Sequence, residues 1–188
     1  MSDFDYLSVL VSIVLGLGIT NILMGLAGMV RRRDRVKMFW PVPLTLVTFF
    51  LIHVQTWWSM FGLRDVAHWN IAGFFVVLMQ PVMLFLTSAM LVPDFSGERE
   101  IDLRADFFRE RIWFYGCLLA LLLTSLFRPV VLVHHFSDPI DLGAHAVFIS
   151  MIVLGFSTAR EGVQKFVAAF MFAFFIFYVA VLFVNLPG

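Results

Sequence analysis

Five histidines, His53, His68, His134, His135 and His145, are the side chains of this sequence best suited to chemistry. They look scattered, yet the stretch HHFSDPIDLGAH alone supplies His134, His135, Asp138, Asp141 and His145 within twelve residues. Neutral imidazoles and carboxylates are ligands that zinc, copper, nickel or ferrous iron accept. No recurring metal-ligand spacing is matched. The same residues suit a wet membrane interface equally well, bonded to water, lipid headgroups and loop carbonyls. Proton sensing or transfer is a third use open to imidazoles.

His53 stands apart, because it lies inside the apolar run TLVTFFLIHVQTWW with Gln55 two residues on. Ionisable groups within a membrane span are costly and face a bundle interior or a water-filled cavity. A bound haem would need two histidines from different helices at one depth. The pairing on offer is His53 with His134, His135 or His145. A divalent metal held among His53, His134, His135, His145, Asp138 and Asp141 is the related alternative. The plain reading of His53 is a core histidine bonded to one neighbour.

Arg128 sits in LLLTSLFRPVVLV. An arginine at mid-membrane costs at least ~2.5–3.5 kcal/mol on insertion scales. Snorkelling to the nearby interface would relieve that. So would backbone carbonyls freed by Pro129, which lacks an N–H. The functional version is an anion or substrate contact, or a pair with Asp65, Asp138 or Asp141. Gln80-Pro81 is a second polar kink within an apolar run. Gly18, Asn21, Gly25 and Gly28 share one face of a helix, where small residues allow close approach and an asparagine can bond across. Helix packing explains that face, and a crevice lined by Asn21 is the alternative. Asn21, His53, Gln55, Gln80 and Arg128 are thus the candidate lining of an intramembrane pathway.

These residues need a bilayer to give them a depth. The chain has 188 residues, 61% hydrophobic and 14% charged, with a mean hydropathy of +0.94. A soluble domain is about 45–50% apolar, and a spanning helix needs roughly 20 apolar residues. The sequence predicts an all-α polytopic transmembrane bundle, one domain with spans near 7–30, 38–62, 70–92, 112–133, 142–158 and 163–184. An amphipathic segment near 94–111 is expected to lie on the cytoplasmic surface, with Leu103, Phe107, Phe108 and Ile112 among charged neighbours. A three-plus-three arrangement invites an inverted repeat, but the two halves show no residue-level match.

Eleven of the thirteen Lys and Arg residues fall after spans one, three and five, in groups of five, four and two. Basic loops stay cytoplasmic, so both termini are expected outside, with the histidines toward the outer leaflet. The acidic start, MSDFDY, precedes a full-length apolar segment and reads as a retained helix, not a signal peptide. Net charge is zero and no long basic run occurs, which leaves nucleic-acid binding without a footprint. The single cysteine, Cys117, excludes an intramolecular disulfide framework. No nucleotide-binding glycine loop, serine elbow or zinc-protease helix is present.

GLGITNILMGLAG, then a basic turn, a tryptophan-proline and HVQTWW, and later IDLRADFFRER, resemble a group of small bacterial polytopic inner-membrane proteins. That resemblance implies a bacterial inner-membrane location and carries no activity. The expectation is therefore a non-enzymatic transport, channel or sensing protein in the lipid bilayer, acting as a homo-oligomer. The small-residue first span and the aromatic sixth supply the contacts for self-association. The alternatives are a histidine-ligated haem or metal protein of the membrane, and a scaffold or lipid-interacting protein docking partners through 94–111.

Overall fold

A computed structural model describes residues 3–64, 69–97, 100–133 and 138–185. Six long helices run in chain order: α1 (Asp3–Arg31), α2 (Pro41–Ser59), α3 (Ile71–Ala89), α4 (Leu103–Val133), α5 (Pro139–Ser157) and α6 (Glu161–Asn185). Each is long and apolar enough to cross a membrane. Large apolar side chains face outward on every one, from Met24, 68% exposed on α1, to Phe177, 64% exposed on α6. A soluble protein rarely leaves contiguous apolar patches of that extent in water. The chain is an integral membrane protein with six spanning helices.

Local sequence sets the helix ends. Pro41 and Pro139 occupy first-turn positions, where the missing N–H costs nothing. Asn70 caps α3 by accepting from the Gly73 N–H at 2.7 Å. Asp102 does the same for α4 through the Ala105 N–H at 2.9 Å. Neighbouring helices close a circuit, α1–α2–α6–α5–α4–α3 and back to α1. Leu7, Val11, Leu15, Ile22 and Met29 form the buried stripe of α1.

The glycine face of α1 is spent inside the chain. A Cβ on Gly18 would overlap the His53 ring of α2, and one on Gly28 would overlap the Phe95 ring beyond α3. Gly25 lies against Val92. The expected close approach is therefore found as helix packing within one chain. The case for self-association through this face falls away.

The amphipathic segment needs correcting. Residues 103–112 are helical, but they are the first turns of α4, continuous with the span, not a separate helix lying on the surface. At ~1.5 Å per residue, the 31 residues of α4 reach roughly 46 Å, well beyond a 30 Å hydrocarbon core. Leu103 and Phe107 are buried against the chain, with Phe107 packed on Phe39 and Phe114. Upstream, β2 (Ile101–Asp102) pairs in parallel with β1 (Val36–Lys37), in the register Val36 with Ile101. Lys37 meets Glu100 at 2.7 Å, and that carboxylate raises the lysine's proton affinity. Arg32 donates to the carbonyls of Phe95 and Gly97. The connections after α1 and α3 thus form one structure at the basic end of the bundle. The opposite end carries the N-terminus of α1 and the C-terminus of α6.

Candidate functional site

Five of the six helices, all but α1, surround a crevice of about 250 Å³. Its lining is ordered along the bundle. On α2 the sequence runs from Ile52, toward the basic end, to Gln55, Thr56 and Ser59. On α4 it runs from Leu118, Leu121 and Leu122 to Ser125 and Arg128. The other three helices agree: Leu84 to Gln80 on α3, Phe148 to His145 and Asp141 on α5, Met171 and Phe175 to Tyr178 on α6. One half of the crevice is apolar. The half toward the terminus-bearing end is polar.

Arg128 is the cation at the polar half. It is half-buried, and its Nη1 donates to Gln80 Oε1 at 3.0 Å. Both residues immediately precede a proline, Pro129 and Pro81, inside unbroken helices. A proline has no N–H, so Val77 and Ser125 each lose their usual in-helix donor there. The two polar kinks of the sequence therefore meet across the α3–α4 interface. A guanidinium carries five N–H donors in a fixed fork. Gln80 is the one side chain among the described residues that takes one of them. Asp141 attracts Arg128 electrostatically, but no ion pair closes between them. The Oδ1 atom of Asp141 instead accepts from the Tyr178 hydroxyl at 2.7 Å.

His145 is held by two contacts. Its Nδ1–H donates to the Asp141 backbone carbonyl at 2.8 Å, since a carbonyl can only accept, which leaves Nε2 as its other polar atom. The Ser125 hydroxyl lies 3.3 Å from that nitrogen. Serine, histidine and aspartate are the residue types of a hydrolase triad, but the geometry departs from one. The close bond from Nδ1 goes to backbone, and Oδ1 of Asp141 stands 3.5 Å away while engaged by Tyr178. The set orients the imidazole without placing a carboxylate squarely behind it.

Of the candidate pathway residues, Gln55, Gln80 and Arg128 line the crevice. Asn21 is half-buried on α1, the helix that contributes nothing to the lining. His53 is fully buried, its Nδ1–H donating to the Phe49 carbonyl at 2.7 Å. Its Nε2 faces Gly18 and has no hydrogen-bond partner among the described residues, and the same is true of Thr56 Oγ1 one turn on. His53 therefore turns toward α1 while His145 turns toward α4, and the expected haem pairing of these two is not assembled. His68, His134 and His135 lie outside the described residues, as does Asp65. Asp138 is exposed at the start of α5 and off the crevice. Among the described residues, no three His, Cys, Asp or Glu side chains are placed to hold a metal ion.

A second polar network lies at the basic end and was not anticipated from the sequence. Arg111 Nη1 donates to the carbonyls of Gly155, Phe156 and Thr158 at 2.7, 2.9 and 2.7 Å. Gln164 Nε2 donates to those of Gly155 and Thr158, at 2.9 and 2.6 Å, and its Oε1 accepts from the Tyr115 hydroxyl at 2.7 Å. The last carbonyls of α5 have no in-helix donor, and these side chains from α4 and α6 supply one. Gly155 lets the Tyr115 ring lie against the α5 backbone, because a Cβ there would overlap it. Arg111 and Tyr115, four residues apart, share a helix face, and that spacing is the one sequence signal that could have found the network.

Comparison with protein families, with curated proteins and with solved structures found no match.

Proposed function

We propose that this is a small, non-enzymatic transport or sensing protein of a bacterial inner membrane, working through the Arg128 crevice. The observation that carries the proposal is an arginine inside a span, beside a cavity, with most of its donor capacity unspent on the described residues. Intramembrane charge is retained where it pairs or serves a pathway. By the charge rule both termini are outside, so the polar half of the crevice faces the outer leaflet. Self-association belongs to this reading through α6, whose Phe166, Ile176 and Phe177 point outward.

Proteoliposomes test it. Vesicles loaded with alkyl sulfonates of two to eight carbons, which stay ionised and cross lipid slowly, are diluted into isosmotic medium, and solute loss is followed by light scattering for wild type and Arg128→Gln. The proposal expects flux that falls at least tenfold in the variant. Equal flux in the two proteins, or none above empty vesicles together with no ligand effect on the purified protein, would remove it.

A further inference from the structure

The crevice has a direction as well as a charge. Leu118, Leu121, Phe148 and Phe175 wall one half, while Arg128 and Gln80 stand in the other. The same apolar-to-polar order repeats on each of the five helices around it. A site for a small free ion has no use for an apolar half, and a site for hydrocarbon has no use for a guanidinium. We infer that the crevice binds an anionic amphiphile, with a carboxylate or phosphate head on the Arg128 fork and an aliphatic tail along the leucine and phenylalanine walls.

The head-group chemistry follows from the unspent donors. A guanidinium fork matches the paired oxygens of a carboxylate or phosphate. Gln80 fixes one edge of Arg128 at 3.0 Å and leaves the others available. Asp141 opposes an anion in the crevice, and the Tyr178 hydroxyl occupies its Oδ1. The ligand head therefore belongs on the Arg128 and Gln80 side, away from Asp141. The tail adds little hydrophobic drive when the ligand arrives from lipid, since chain and crevice are alike apolar. It contributes by fit, and it keeps the ligand concentrated in the membrane phase.

This inference rests on the crevice being the working site, and binding at equilibrium tests it without any flux. Protein purified in an uncharged maltoside detergent is titrated with dodecanoate, dodecyl phosphate, dodecanol, dodecyltrimethylammonium, acetate and inorganic phosphate. The readout is the ratio of wild-type to Arg128→Gln affinity, which cancels partition of each probe into the micelle. The expected ratio is at least ten for dodecanoate and dodecyl phosphate and near one for dodecanol. Acetate and inorganic phosphate should bind at least a hundredfold more weakly than their twelve-carbon counterparts. Gln80→Glu is the second variant. It keeps the arginine but supplies an internal carboxylate, and should weaken the two anionic amphiphiles similarly if Arg128→Gln fails to fold.

Tail-less anions that bind as tightly as dodecanoate would overturn the amphiphile and leave a free-anion site. Preference for the cationic probe would assign the crevice to Asp141 and overturn it too. So would equal affinity for dodecanol and dodecanoate. Dodecanoate binding without flux would retain the ligand class and remove transport. Arg128-dependent flux without amphiphile binding would do the reverse.

Discussion

The two ends of α5 are treated in opposite ways by the same neighbours. At its C-terminal end, Arg111 and Tyr115 of α4 and Gln164 of α6 close on Gly155, Phe156 and Thr158, and each polar atom named finds a partner. At its N-terminal half, Arg128 of α4 and Tyr178 of α6 meet Asp141 and His145 around a cavity, and the arginine gives one bond to the described residues. Both regions hold an arginine, a tyrosine and a glutamine within a largely apolar bundle. What differs is where the donors go. In the first, orphan helix carbonyls consume them, which makes the cluster architecture. In the second, capacity is left over among the described residues beside a cavity, and the proposed ligand site rests on that. Unspent hydrogen-bonding capacity, more than the mere presence of a buried charge, separates a binding site from a brace.

Stability measurements can break that comparison, beginning with the brace. Arg111→Ala removes charge-assisted bonds to three carbonyls and strands that of Phe156, at a cost of about 3 kcal/mol. A fall in Tm of roughly 5–10 °C in detergent is expected, and an unchanged Tm would reduce the cluster to decoration. Gln164→Leu keeps the volume but orphans the buried Tyr115 hydroxyl, for about 2 kcal/mol. Added to Arg111→Ala, it should cost more than the sum of the single changes, because the two side chains share the carbonyls of Gly155 and Thr158. Gly155→Ala forces the Tyr115 ring away from α5, with a penalty of about 1–2 kcal/mol read by the same assay. Arg128→Leu should be the smallest effect on stability, within ~1 kcal/mol or stabilising, since removal of an intramembrane charge offsets the lost Gln80 bond. A loss as large as that of Arg111→Ala would make Arg128 a brace as well.

Much of the architecture was legible because a membrane imposes a strong pattern on sequence. Six apolar runs of spanning length and basic groups after alternate runs follow from the cost of burying backbone and charge in lipid. Gln80, Gln55 and Arg128 stood out for the same reason, as polar residues in apolar surroundings. Asn21 and His53 stood out equally and proved to belong elsewhere, because composition gives depth but not azimuth around a helix. Tyr178 is the one polar residue in the run FVAAFMFAFFIFYVAVLF of the sixth span. Ser125 was not, since a serine in a helix commonly satisfies itself on its own backbone. Gln164 hid at a span boundary, where glutamine is ordinary.

The sequence by itself determined that the chain crosses a membrane six times, and which polar residues lie within the crossings. Both are properties of single segments and their transfer from water to lipid. Only the tertiary structure decided that Gln80 meets Arg128, that the glycine face of α1 is filled by His53, Val92 and Phe95, and that α4 runs on without a break from residue 103. Those outcomes depend on which faces of different helices meet. Between mostly apolar helices in lipid, that choice is made by packing and hydrogen bonds and not by hydrophobicity.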